Sequence, residues 1–360
     1  MKAQFPSMID PHVHFRDWEQ SEKETLRHGI CSGLVAGVSC FFDMPNTVPP
    51  LTDEATILRR LSHADKVMAE MDGDDAIRIS YHVYGGITTD MEQIRDMVAL
   101  HARLFPLMVG LKLFAGHSTG NMGVVTEEQQ RAVYRTLADC GYKGVVALHC
   151  EKEALLCPDC DAPDDALAHS LARPSTAEVE SVRDQIRFAR EEGFAGTLHV
   201  CHISTAGAIG LVSEAREQGM QITCGATPHH ALLSVQDSLP HRHLSMNPPL
   251  REQADRDAVF LALLDGHIDW IETDHAPHTR EDKKNGANGI PGYTGLMLLI
   301  RRLRMADCPE ERLRDLLGKN VLQAFGLDGQ AITVPDASFI DNSLGSSRVR
   351  YPWDPYEGME

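Results

Sequence analysis

Eight apolar, β-branched runs separated by amphipathic stretches predict an α/β protein of the (β/α)8 TIM-barrel class. Two further observations favour closure into a barrel. The 360 residues suffice for one such domain, and ionisable residues gather where the runs end. A doubly wound open sheet is the alternative, but no Gly-X-Gly-X-X-Gly follows an early strand.

The strand candidates are 6–14, 37–43, 77–84, 108–114, 144–150, 197–203, 220–226 and 268–274. Their apolar character is nearly continuous, as strands buried on both faces require. Helical stretches fall at 52–70, 90–104, 126–140, 176–192, 206–218 and 253–266. Thr52, ahead of Ala55 and Thr56, and Thr126, ahead of Glu127 and Glu128, resemble helix N-termini, where hydroxyls and early acids satisfy free N–H groups. Gly193 and Gly219 sit where helices would stop.

A composition of 42% hydrophobic and 24% charged residues is that of an ordinary globular protein. The formal net charge of −18 argues against nucleic-acid binding, which needs clustered Lys and Arg. It leaves room for a small anionic substrate held by one local arginine. No signal-peptide pattern opens the chain and no apolar stretch is long enough to span a membrane, so a cytoplasmic protein without a membrane partner is expected. Nine scattered cysteines, an odd number, are then expected as free thiols. Cys157-Pro158-Asp159-Cys160 is the local exception, a zinc knuckle or redox pair being the alternative there.

The run into Asp10-Pro11-His12-Val13-His14 places two histidines two residues apart, on one face of a strand, where both imidazoles can meet one ion. Asn46 follows the second strand, Lys112 lies near the end of the fourth, and His149 ends the fifth. His202 ends the sixth, His229 and His230 follow the seventh, and Asp274 ends the eighth. Strand C-termini converge on one barrel mouth, where such enzymes keep their active sites. His12, His14, His149, His202 and Asp274 form a set suited to zinc or a similar ion. Five side chains exceed the needs of one tetrahedral ion with an open position, which points to two metals and a bridging anion. Lys112 sits inside the apolar run Gly110-Leu111-Lys112-Leu113-Phe114, where a buried ammonium is disfavoured. Carbamylation would make it an anionic bridge; the other reading is a head group reaching out at the mouth, and spacing does not choose. His199 and His202 are three apart and so on opposite strand faces. His202 is the expected ligand, and His199 a packed, satisfied histidine.

These residues carry a resemblance. The chain resembles the dihydroorotases of the amidohydrolase superfamily through His12-Val13-His14-Phe15-Arg16, Met44-Pro45-Asn46-Thr47, Gly110 to Phe114 and Leu148-His149-Cys150-Glu151. Val200-Cys201-His202-Ile203-Ser204-Thr205, Met246-Asn247-Pro248-Pro249-Leu250-Arg251 and Thr273-Asp274-His275-Ala276-Pro277-His278 continue it in family order. The resemblance implies a metal-dependent hydrolase barrel with two Zn2+ ions. His12, His14 and Asp274 would hold one and His149 and His202 the other, bridged by carbamylated Lys112 and a hydroxide. It implies reversible conversion of N-carbamoyl-L-aspartate to L-dihydroorotate in pyrimidine biosynthesis, with Asp274 as catalytic acid and base, and a homodimer. Arg16 would grip the substrate carboxylate with Asn46 and His278, and Asn247 would lie against the ring. His117-Ser118-Thr119-Gly120-Asn121 would form a lid whose Ser118 or Thr119 hydroxyl touches substrate. His229 and His230 are expected to be supporting residues, and His82 and His275 packing residues.

The pattern departs from many relatives in three places. Almost no chain precedes His12, so a complete β-sandwich domain is not expected. A barrel over 1–330 is expected with a tail over 331–360, including Tyr351-Pro352-Trp353, packing on it. Glu272 stands where a small residue is usual, and Met297 lies where an acidic or amide residue is usual. Allantoinase and hydantoinase are the rival activities, which Arg16 and Asn46 disfavour. A non-catalytic partner subunit is a further alternative, which the full ligand set disfavours.

Overall fold

The computed structural model describes residues 7–71, 78–118, 122–162, 165, 167–239, 242–329 and 331–360. Eight parallel strands follow one another in sheet order: β1 (Met8–Val13), β2 (Val38–Asp43), β3 (Ser80–Gly86), β4 (Met108–Ala115), β5 (Val145–Cys150), β6 (Thr197–Val200), β7 (Ile222–Ala226) and β8 (Trp270–Ile271). The circle closes where Val13 bridges His275 and His14 N–H donates to the His275 carbonyl at 2.8 Å. This is the expected (β/α)8 barrel.

Around it lie α1 (Leu26–Val35), α2 (Glu54–Met71), α3 (Met91–Leu104), α4 (Glu127–Asp139), α5 (Ser175–Glu191), α6 (Ala206–Glu217), α7 (Gln253–Asp265) and α8 (Tyr293–Met305). A last helix, α9 (Ala337–Arg348), packs on α8. Every residue of β1, β2, β4 and β5 is buried, which explains their unbroken apolar sequences. Helix α4 starts at a capping box in which Thr126 and Gln129 satisfy each other's backbone N–H. Helix α1 is capped by Thr25, whose hydroxyl accepts from His28 N–H at 3.2 Å. Its glycines serve close packing: a Cβ at Gly33 would lie 2.3 Å from the Phe41 ring of β2.

Four expectations need correction. The start of α2 is capped by Asp53, whose Oδ1 accepts from Thr56 N–H at 2.8 Å, and not by Thr52. Strand β8 spans two residues rather than seven, because beyond Ile271 the Thr273 N–H donates to the Asp10 carboxylate rather than to a neighbouring strand. Cys157 and Cys160 form a disulfide instead of free thiols; the tight turn Pro158–Cys160 brings their Cα atoms to 5.3 Å, a distance a disulfide spans. Finally, β6 ends at Val200, so strand parity does not govern His202. Its positive φ of 37° turns it, and both His199 and the His202 backbone reach the same carboxylate, Glu272. Among the described residues, no helix is long and apolar enough to cross a membrane.

Candidate metal centre

The strand ends deliver their polar side chains to one cavity at the barrel mouth. His12, His14, Arg16, Asn46, Lys112, Ser118, His149, His202, Asn247 and Asp274 all line it. His278 stands behind Arg16. Thr119 lies outside the described residues. Asn288 and Gly289 also line the cavity, and no sequence pattern marked either.

Two groups of donor atoms face each other across the floor. His12 Nε2 lies 3.3 Å from His14 Nε2 and 3.4 Å from Asp274 Oδ1, and His14 Nε2 lies 2.9 Å from the same oxygen. His149 Nδ1 lies 3.2 Å from His202 Nε2. The rings of His12 and His202 are 5.2 Å apart, which joins the groups. Imidazole nitrogens turned toward one another at such distances share at most one proton, so lone pairs converge on common points. That donor set fits divalent zinc.

Each imidazole is aimed by its far side. Asn46 Oδ1 meets His14 Nδ1 at 2.7 Å, and Glu151 Oε2 meets His149 Nε2 at 3.0 Å. Arg173 in turn pairs with Glu151 at 2.5 Å. Carboxylates and amides behind metal-binding imidazoles commonly fix ring orientation and tautomer. Asn46 therefore has a partner at the histidine cluster as well as a place in the cavity wall.

Electrostatics differ from group to group. Burial lowers His14 to about 4 against the opposing pull of Asp274, which leaves it neutral near pH 7. Burial alone would raise Asp274, but the hydrogen bond with His14 and the charges of His12 and His229 hold it below the usual carboxylate range. Lys112 is fully buried in β4; its Nζ donates to Cys201 Sγ at 3.2 Å and lies 5.1 Å from the centre of the Phe114 ring. Burial would raise the Cys201 thiol, yet Lys112 and His12 bring it down to about 6. Among the described residues, Lys112 has no carboxylate partner. The reading in which its head group reaches out of the barrel does not hold.

Arg16 is also buried, with Nη2 3.0 Å from His278 Nε2 and Nε donating to the Pro277 carbonyl at 3.3 Å. Among the described residues it too forms no ion pair. Burial lowers its pKa, while Glu24, Asp274 and Asp43 oppose that shift. Burial, with Arg16 alongside, lowers His278 to about 2, so its ring is neutral. Asn247 Oδ1 meets His169 Nε2 at 3.0 Å, and Asp161 Oδ2 meets the other nitrogen of that ring at 2.9 Å.

The remaining histidines divide clearly. His199 is satisfied by Thr223 and Glu272 and stacks on Trp270 at 4.4 Å. His230 bonds Thr227 and the Pro248 carbonyl. His229 is buried, and among the described residues neither ring nitrogen has a hydrogen-bond partner. His275 packs on Tyr293 and reaches Glu24, and His82 bonds the Pro106 carbonyl. Met297 is core and does not line the cavity.

No family model matches the chain. The curated dihydroorotase of Halobacterium salinarum is 32% identical over 370 residues, covering 98% of this chain and 82% of that protein. Among solved structures, the L-hydantoinase of Arthrobacter aurescens superposes with a TM-score of 0.77 at 22% identity, over 89% of this chain and 71% of its own. The dihydroorotase of Saccharomyces cerevisiae, solved with 5-fluoroorotic acid, gives 0.71 at 17% identity, over 91% and 86%. At those identities the two structures speak for the fold alone.

Proposed function

This chain belongs to the dihydroorotases, a family of cyclic amide hydrolases, and from that premise we propose that it interconverts N-carbamoyl-L-aspartate and L-dihydroorotate in pyrimidine biosynthesis. One observation carries the substrate assignment. Arg16 is a buried guanidinium on the cavity wall with no carboxylate partner among the described residues. A buried charge without a counter-ion is costly, and a ring carboxylate would supply the planar, bidentate partner that arginine suits best. Hydantoin and allantoin carry no such group.

In this reading His12, His14 and Asp274 would hold one zinc ion and His149 and His202 a second, with Lys112, once carbamylated, as a ligand available to both. When bound, the ions would lower the pKa of water and polarise the amide carbonyl. The protein's own groups do the rest. Arg16, backed by His278, anchors the carboxylate and so sets the ring's orientation over the floor. Asn247, held by His169, bounds the ring edge, and Ser118 lines the entrance. Asp274, ionised at neutral pH, accepts a proton from the attacking water and delivers it to the departing ring nitrogen. In the cyclising direction it takes that proton back.

The test is ultraviolet-monitored hydrolysis of L-dihydroorotate by zinc-loaded protein, with hydantoin and allantoin as controls. Turnover of dihydroorotate alone is expected. Turnover of a control without dihydroorotate would overturn the substrate assignment, and two bound zincs with no turnover would mark a silent subunit.

A further inference from the structure

Glu272 is a buried carboxylate for which the reaction has no use, set two residues before Asp274 and 1% exposed. Its Oε2 accepts from His199 Nε2 at 2.9 Å and from Trp270 Nε1 at 3.1 Å. Its Oε1 accepts the backbone N–H of His202 at 2.5 Å and stands 3.4 Å from His12 Nδ1. Among the described residues that nitrogen has no hydrogen-bond partner within bonding distance, while Nε2 of the same ring faces His14 and Asp274. A small ring rotation would complete the bond. Space for the carboxylate comes from the neighbouring strand: a Cβ at Gly225 of β7 would lie 2.5 Å from Oε2 and 2.6 Å from Cδ. A carboxylate in a barrel interior is costly unless its oxygens are satisfied. Here β6, β8 and the missing side chain on β7 all accommodate it.

We infer that Glu272 is a positioning residue for the metal centre, bracing from beneath one ligand of each proposed zinc ion. Through His12 Nδ1 it keeps Nε2 turned to the floor of the cavity. Through the His202 N–H it pins the turn, with its positive φ, that carries the His202 ring to His149. Glu151 does the first of these jobs for His149. Among the described residues, no other does both. The inference rests on His12 and His202 being metal ligands, as proposed above.

The competing use of the same carboxylate is direct coordination, since His12, Cys201 and Glu272 also lie within metal-ligand reach of one another. In that arrangement Glu272 and the Cys201 thiolate would bind an ion themselves.

Zinc affinity, measured by competition with a chromophoric chelator, should fall about 10–100-fold in Glu272→Gln and Glu272→Ala, the usual effect of removing an outer partner of a ligand histidine. At saturating zinc, kcat should fall while KM for dihydroorotate stays near its original value. A folded variant that binds zinc as tightly as the unaltered protein would overturn the inference, even if its metal-free form melts earlier. So would a thiolate-to-metal charge-transfer band in the cobalt-loaded unaltered protein, which would make Cys201 and its neighbours ligands. Should neither variant fold, a crystal structure of the zinc-loaded unaltered protein decides. Glu272 Oε1 within about 3.2 Å of His12 Nδ1 supports the role, and His12 bound through Nδ1 ends it. Failure of the underlying reading looks different: the unaltered protein would bind no zinc, or His12→Ala would bind it normally.

Discussion

Two buried polar clusters lie side by side at the barrel mouth, and they are built on opposite rules. In the first, Asp43 at the end of β2 accepts from Arg60 Nη2 at 2.6 Å, from Arg60 Nε at 3.0 Å and from the Tyr81 hydroxyl at 2.5 Å, all on one oxygen. Its other oxygen takes the Phe15 N–H at 3.0 Å, and Arg60 spends its remaining donors on the Phe15 and Arg16 carbonyls. None of these side-chain atoms is left unpaired. In the second, imidazole nitrogens of His12 and His14, and of His149 and His202, face one another, and among the described residues Lys112 meets only sulfur and an aromatic ring. A closed cluster holds a loop, and here the loop carries Arg16. An open cluster, on the reading proposed above, is a set of donors prepared for something that is not protein. Burial and charge alone would not have told the two apart; satisfaction of the donors does.

Substitutions should separate the two by readout. The largest effect is expected from Asp274→Asn, which should lower turnover about 10²–10⁴-fold at saturating zinc while the far-ultraviolet circular dichroism stays unchanged. Lys112→Ala should reduce zinc content and activity together, with partial recovery on adding a short carboxylic acid; full activity without it would remove the bridging role. Arg60→Met should behave in the opposite way. With Asp43 left buried and uncompensated, stability in urea should drop by about 3–5 kcal/mol, and surviving folded molecules should keep their zinc. Arg16→Met should raise KM about 10–100-fold, equivalent to losing a charged hydrogen bond worth about 1.5–3 kcal/mol, at normal zinc content. Loss of zinc in that variant would instead show Arg16 to be structural, a support of the metal centre.

The smallest effect concerns a second closed cluster, in which Tyr351 donates to Glu24 Oε1 at 2.5 Å and meets His275 Nε2 at 2.9 Å. Burial would raise Glu24, but His275, His28 and Tyr351 together bring it from 4.5 down to about 2. A carboxyl depressed on folding contributes stability above its unfolded pKa and loses it as pH falls through the folded one. Tyr351→Phe should therefore cost about 1 kcal/mol near neutrality. The gap in unfolding midpoint between variant and parent should narrow between pH 4.5 and 2; a gap that is independent of pH would deny Glu24 its part.

Much of this was legible in the chain because it is local. Strand runs such as 108–114 and 145–150 announce themselves through unbroken apolar character, and the His12–His14 spacing shares a face by strand geometry alone. The order of ionisable residues along the runs follows from the barrel's single mouth. The sixth strand ends at Val200 rather than at 203, yet His202 lines the cavity and His199 is satisfied away from it, as expected.

The sequence by itself determined the barrel and most of the residues that reach its mouth, since periodicity and strand ends are written within a few residues of each other; Asn288 and Gly289 were not among them. Only the tertiary structure decided which of those residues are satisfied. Tyr351 finds Glu24 across 327 positions, Thr273 finds Asp10 across 263, and Glu272 fits because Gly225 on the next strand lacks a side chain. Such pairings exist only once the barrel has closed, because a hydrogen bond needs its partners within about 3 Å, and no local pattern sets that distance between strands.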